Sequence, residues 1–240
     1  MNLILIRHGD PDYANDTLTP KGRDEAIALA KFLKNLSVTK FYCSPMGRAR
    51  DTVAPTLSFR GERAQVLDWL EEFPECILDP DNGMVHVPWD LLPRTWTSVP
   101  ELYDKDKWYN ADIYKTGNAY EVYKKVCNGV DELLESYGYV REGNIYKAER
   151  PNRDTIVLVC HFGVICAVIS HLIGISPVRL WQGAICPPTG ITRLSTEERQ
   201  EGIAYFRCNR FGDVSHLYLD GQRPSRAGRF RETVGESSSD

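Results

Sequence analysis

The chain has 240 residues, 42% of them hydrophobic and 26% charged, with a formal net charge of −4. This length supports one substantial core plus a large insertion, and the acidic balance argues against a nucleic-acid partner, which usually meets a large basic excess. No apolar run approaches the roughly 18 residues that a membrane helix needs, and no basic, apolar and cleavage-site series opens the chain, so a cytoplasmic protein without a membrane partner is expected.

LILIRHGD, residues 3 to 10, begins as an apolar run suited to a strand buried on both faces, which must end where polar residues return, at Arg7 and His8. The carboxyl end of such a strand is where open α/β sheets place ligands. Thr19-Pro20 then supplies a hydroxyl N-cap and a proline at N1, and Ala26, Leu29, Ala30, Leu33 and Leu36 follow at helical spacing. VTKFYCS reads as a second strand, Ser44-Pro45 repeats the cap-then-proline pattern before a second helix, and a short strand near AQVLDWL leads into LEEFPE.

The composition changes between residues 77 and 151, with Trp89, Trp96, Trp108, many tyrosines and a helix predicted through Val122, Val126, Val130 and Leu133. This stretch reads as an insertion covering the site, either a stabilising flap or a substrate pocket to which Trp89, Arg94 and Trp96 contribute. RDTIVLVCHFG repeats the opening theme and delivers His161 to the same sheet edge as His8; an apolar helix follows. TGITRLSTEE and GIAYFRCNRFG read as an antiparallel hairpin. Residues 221–240, rich in Arg, Gly and Ser, are expected to form a disordered tail.

Seven scattered cysteines without a CxxC pair speak against both a disulfide framework and a zinc site. If Arg7, His8, Arg48 and His161 converge, two guanidinium groups and two imidazoles surround a space suited to a dianion, and a phosphoryl group fits best. The amides of Phe162 and Gly163, opening a helix, would add donors. His8 then serves as nucleophile, its second nitrogen held by a backbone carbonyl. Glu71 or Glu72 supplies the proton for the leaving oxygen. The arginines provide the positive charge, so neither metal nor cofactor is expected. His86, His171 and His216 lack evident catalytic partners.

Arg7-His8-Gly9 after the first strand, LTPKGRDEA at 18–26, SPMGRARDT at 44–52, LEEF at 70–73 and CHFG at 160–163 together resemble the histidine phosphatase superfamily, the phosphoglycerate-mutase-like group, in order and spacing. The resemblance implies a three-layer α/β/α sandwich with a mostly parallel central sheet and a helical or irregular insertion over the active site. It implies a single domain over 1–220, with core segments 1–76 and 152–219 and the insertion at 77–151. It makes His8 the phosphorylated nucleophile, Arg7 and Arg48 the phosphate clamp, His161 the second phosphate-binding histidine and Glu72 the proton donor, Glu71 being the competing choice.

Thr19, Phe162, Trp89 and Arg94 complete the expected substrate contacts. Phe162 stands where the family often has a small residue. The implied activity is that of a histidine acid phosphatase-type phosphoric monoester hydrolase acting on a small-molecule phosphate ester. Mutases of the group carry an asparagine six residues after the histidine and a Glu-Arg-His-Tyr run at the acid; here Ala14 holds the first place and Phe73-Pro74 follow Glu72, which favours hydrolysis. A phosphoglycerate mutase and a non-catalytic phosphate- or partner-binding module are the alternatives. The oligomeric state stays open, a homodimer being one candidate.

Overall fold

The computed structural model describes residues 1–234; the last six of the expected tail lie outside the described residues. In chain order, β1 (Asn2–Arg7) is followed by the short pair β2 (Pro11–Asp12) and β3 (Thr17–Leu18), then α1 (Pro20–Leu33), β4 (Lys40–Cys43), α2 (Gly47–Arg60) and β5 (Ala64–Val66). The middle of the chain forms the small hairpin β6 (Ile77–Leu78) and β7 (Val85–His86), α3 (Pro93–Thr97), α4 (Ala119–Ser136) and the hairpin β8 (Tyr139–Glu142) and β9 (Ile145–Ala148). The remainder is β10 (Thr155–Cys160), α5 (Phe162–Ile173), α6 (Pro177–Gly183), β11 (Ile191–Gln200), β12 (Ile203–Asp213) and α7 (Ser215–Leu219).

Eight of these strands form one sheet in the order β5-β4-β10-β1-β11-β12-β9-β8. The first four run parallel, and every pairing from β1 towards β8 is antiparallel. β1 is buried because it lies mid-sheet with helices on both faces, so its alternate residues enter two cores. Leu3 and Leu5 join Ile156, Leu158, Val164, Val168 and Trp181 on one side; Ile4 and Ile6 join Val157, Val159, Leu29, Leu33 and Val53 on the other. Each such side chain contributes about 1.5–3 kcal/mol on burial. The result is a three-layer α/β/α sandwich whose site-bearing half is parallel.

Three sequence expectations need correction. The stretch 77–151 divides between jobs: α4 packs beside α5, and β9 pairs with β12, so that β8 and β9 extend the sheet edge and do not cover the site. Its aromatic residues chiefly build a core, in which the buried Trp108 meets Tyr114 and Trp181 edge-on at centroid distances of 5.1 and 5.5 Å. Short 3-10 turns in this stretch offer little helical surface to pack, and large rings make up the contact area. Second, the N-cap of α2 is Met46, two residues beyond the predicted Ser44. Third, Gln222, Ser225 and Ala227 of the expected disordered tail are hydrogen-bonded to the body of the protein, and Ser225 is buried. Among the described residues no helix is long and apolar enough to cross a membrane.

Candidate active site

β1 and β10 are in register, Arg7 opposite Cys160, so the next residue of each strand is a histidine at the same sheet edge. The His8 amide donates to the Cys160 carbonyl at 2.9 Å, and the two imidazole centroids lie 5.1 Å apart. His8 is buried with Nδ1 2.7 Å from the Gly9 carbonyl. A carbonyl only accepts, so Nδ1 carries the proton and Nε2 holds the lone pair. Burial, reinforced by the charges of Arg7 and Arg48, holds the His8 pKa well below the ordinary histidine value.

His161, fully buried, has Nε2 2.8 Å from the Ser44 hydroxyl. Ser44 Oγ accepts the Met46 amide at 3.3 Å and keeps a second lone pair, so it can donate to Nε2 or accept from it; an anion beside Nδ1 selects the tautomer with the proton on Nδ1, in which Ser44 donates. Burial, then the neighbouring His8, Arg48 and Arg7, lower the His161 pKa well below its usual range. Both rings are thus neutral near pH 7; His8 offers a lone pair, and His161 offers an N–H from Nδ1 in the tautomer that an anion selects.

Arg48, near the start of α2, donates from Nη1 to Asp16 at 2.7 Å and from Nη2 to Met46 Sδ at 3.3 Å. Asp16 also accepts the Gly47 amide at 2.6 Å and adopts a left-handed backbone with φ 47°. A Cβ on Gly47 would approach the Asp16 carbonyl to 2.1 Å, so glycine is required there. Arg7 donates from Nη1 to the Cys186 carbonyl at 2.7 Å and to that of Ala227 at 3.2 Å.

Arg7 Nε, Arg48 Nε and His161 Nδ1 are buried without a hydrogen-bond partner, three of seven such side-chain atoms among the described residues. A buried donor left unpaired costs about 1–3 kcal/mol. An anion with several acceptor oxygens would relieve all three.

Glu72 follows a 3-10 turn at Asp68–Leu70, and its carboxylate accepts the Phe73 amide at 3.0 Å and the Gly163 amide at 3.1 Å. The Gly163 amide, expected to bind phosphate, is therefore given to Glu72. Burial pushes the Glu72 pKa up, while those two amides and the charges of Arg7 and Arg48 pull it down. Gly163 permits this approach: a Cβ there would lie 2.6 Å from Glu72 Oε1 and 2.3 Å from the Trp89 ring. Glu71 is exposed, which separates the two competing carboxylates. Both line a cleft of about 220 Å³ with Trp69, Val122 and Lys125.

Of the other expected contacts, Phe162 and Trp89 meet edge-on at 5.5 Å and 90°, forming an apolar wall with Phe73 beside Glu72. Thr19 is committed elsewhere: its hydroxyl donates to Asp10 at 2.6 Å and accepts the Gly22 amide at 3.0 Å, capping α1. Arg94 is exposed on α3 and makes no hydrogen bond or ion pair with the site, and Trp96 packs on Tyr103 at 5.8 Å. Sequence reading missed Asp16, the role of Ser44, and Tyr13, whose ring lies 5.4 Å from the Arg48 guanidinium and 6.4 Å from the His8 ring. Ser44 and Arg48 share one short motif, and that proximity was the available signal.

Two neutral histidines, two buried guanidinium groups and a carboxylate stand at the carboxyl ends of parallel strands in an α/β fold, an arrangement of charge and donors suited to an anion. The chain belongs to the histidine phosphatase superfamily (branch 1), whose family profile matches residues 3–86 and 88–209. A probable phosphatase of Schizosaccharomyces pombe is 24% identical over 231 residues, covering 90% of this chain and 95% of its own. The adenosylcobalamin/alpha-ribazole phosphatase of Escherichia coli is 23% identical over 190 residues, covering 75% and 83%. The fold is shared with a mycobacterial glucosyl-3-phosphoglycerate phosphatase (TM-score 0.60, 19% identity, 88% of this chain and 98% of that one). It is also shared with a phosphoserine phosphatase of Entamoeba histolytica (TM-score 0.60, 19% identity, 90% and 98%).

Proposed function

We propose that this chain is a phosphomonoesterase that hydrolyses a small-molecule phosphate ester through a phosphohistidine on His8, without a metal. The observation that carries this reading is the set of three buried, unpartnered nitrogens near His8: Arg7 Nε and Arg48 Nε, which are donors, and His161 Nδ1, a donor in the tautomer that an anion selects. They equal in number the equatorial oxygens of a transferring phosphoryl group.

In the first step the His8 Nε2 lone pair forms a bond to phosphorus as the bond to the ester oxygen breaks, and protonated Glu72 gives its proton to the departing alkoxide. In the second, water loses a proton to the Glu72 carboxylate and attacks the phosphohistidine, returning the electron pair to Nε2 and releasing inorganic phosphate. Arg7, Arg48 and His161 hold the phosphoryl oxygens through both steps. The raised pKa of Glu72 suits a group that must alternate between acid and base.

The test is hydrolysis of p-nitrophenyl phosphate in the presence of EDTA, with the unaltered protein beside His8→Ala. Activity that survives the chelator and vanishes in the variant supports the reading; activity that needs added metal or persists in His8→Ala contradicts it.

A further inference from the structure

The Arg7 guanidinium is held from two sides. Cys186, after α6, offers one carbonyl to Nη1; the other comes from Ala227, far beyond the stretch that matches the family profile. Residues 222–228 reach that position by a series of anchors. Gln222 donates to the Asp24 carbonyl at 3.2 Å, and the Ser225 amide donates to the buried Glu25 at 3.0 Å. Ser225 Oγ donates to Asp10, two residues after His8, and accepts the Ala227 amide at 3.0 Å. Asp10 in turn receives the Thr19 cap of α1, and its own amide donates to Glu25. The segment is thus tied to the loop that carries the nucleophile.

Gly228 completes the contact. Its φ is +82°, and a Cβ placed there would lie 3.0 Å from both Arg7 Nη1 and Nη2. A methyl group at this position would press on the guanidinium and require it to shift by a few tenths of an ångström.

We propose that residues 222–228 are a strap that positions Arg7 for phosphate, and so a working part of the anion site. The proposal rests on the phosphatase reading above. An arginine side chain free to sample rotamers loses that freedom when it grips a ligand. By fixing Nη1 in the folded protein the strap removes that loss from binding and leaves Nε for a phosphoryl oxygen.

Gly221 gives a matched control, because its φ is +71° and a Cβ there meets nothing within 4 Å. Gly228→Ala and Gly221→Ala therefore impose the same kind of backbone strain, and only the first presses on Arg7. A third protein lacks residues 224–240. Each is compared with the full chain for affinity to inorganic phosphate by calorimetry, for kcat and KM on p-nitrophenyl phosphate, and for Tm.

Gly228→Ala and the shortened chain are expected to bind phosphate about tenfold more weakly, the size of one charge-assisted hydrogen bond, and to raise KM more than they lower kcat. Gly221→Ala stays within about twofold of the full chain. Equal phosphate affinity in Gly228→Ala and Gly221→Ala overturns the strap while leaving the phosphatase reading intact. Absence of phosphate binding by the unaltered protein overturns both. Should the shortened chain fail to fold, the glycine pair decides alone.

Discussion

Two regions of this molecule hold histidines on opposite terms. On α5, His171 points Nε2 at both carboxylate oxygens of Asp131, each at 2.9 Å, and Tyr146 donates to the same carboxylate. At the sheet edge, His8 and His161 have no carboxylate partner among the described residues; their neighbours are arginines, and His161 keeps a buried nitrogen unpaired. Both regions order the fold. The first region leaves one donor unpaired, Arg141 Nη1, beside the Asp131 carboxylate that balances its charge; the second leaves the Nε of two arginines unpaired, and such donors in a buried site are what an anionic substrate can use.

The comparison breaks first at His8. His8→Ala should lower kcat by at least about 10³-fold, since loss of the nucleophile ends the covalent route. A variant retaining a tenth of the activity would place the chemistry elsewhere. Arg48→Ala comes next, with a loss of about 10²–10³ in kcat/KM for p-nitrophenyl phosphate, the scale of one preorganised donor to a developing charge.

Glu72→Gln sharpens the assignment through pH. An acid with a raised pKa stays protonated to higher pH, so the first step fails only as pH rises through that value; a nucleophile with a lowered pKa is lost only as pH falls through it. The profile should have both limbs, and Glu72→Gln should remove the basic limb and slow alkyl phosphates by about 10²-fold or more. p-Nitrophenyl phosphate, whose leaving group needs little protonation, should suffer less in its first step. An unchanged basic limb would return Glu71 to candidacy.

His216 offers a pH test on stability. Burial lowers its pKa to about 4, so below the unfolded value of 6.5 the unfolded chain binds the extra proton and the fold loses stability until about pH 4. His216→Gln should make this part of a plot of Tm against pH shallower, the remaining slope coming from His8 and His161, and a curve parallel to that of the unaltered protein would contradict the account. The smallest effects belong to the paired region and to tautomer control. Ser44→Ala should cost about tenfold in activity and Ser44→Thr should restore most of it. His171→Gln should leave kcat within about twofold and lower stability by about 1–2 kcal/mol.

The parallel half of the fold was legible because its strands announce themselves as apolar runs ending in polar residues, and because RHG and CHFG place His8 and His161 at the same edge. Ser44 misled for a local reason. Serine before proline reads as a helix cap, and only the neighbouring strand β10 shows that its hydroxyl meets His161. The amide of Gly163 was likewise assigned to phosphate because nothing local reveals that Glu72 reaches it. Residues 222–228 carry a disordered composition, yet their order comes from the Ser225 amide on Glu25 and the Ser225 hydroxyl on Asp10, partners roughly two hundred positions away. Residues 77–151 were read as one insertion because irregular 3-10 turns and a sheet-edge hairpin share no single period.

The central claim is that phosphate passes through His8. Rapid acid-free quenching of the full chain with a ³²P-labelled phosphate ester, followed by peptide mapping, tests it directly. The account predicts acid-labile, base-stable label on the peptide bearing His8, absent from His8→Ala. Hydrolysis without such label, or label retained in His8→Ala, would contradict it.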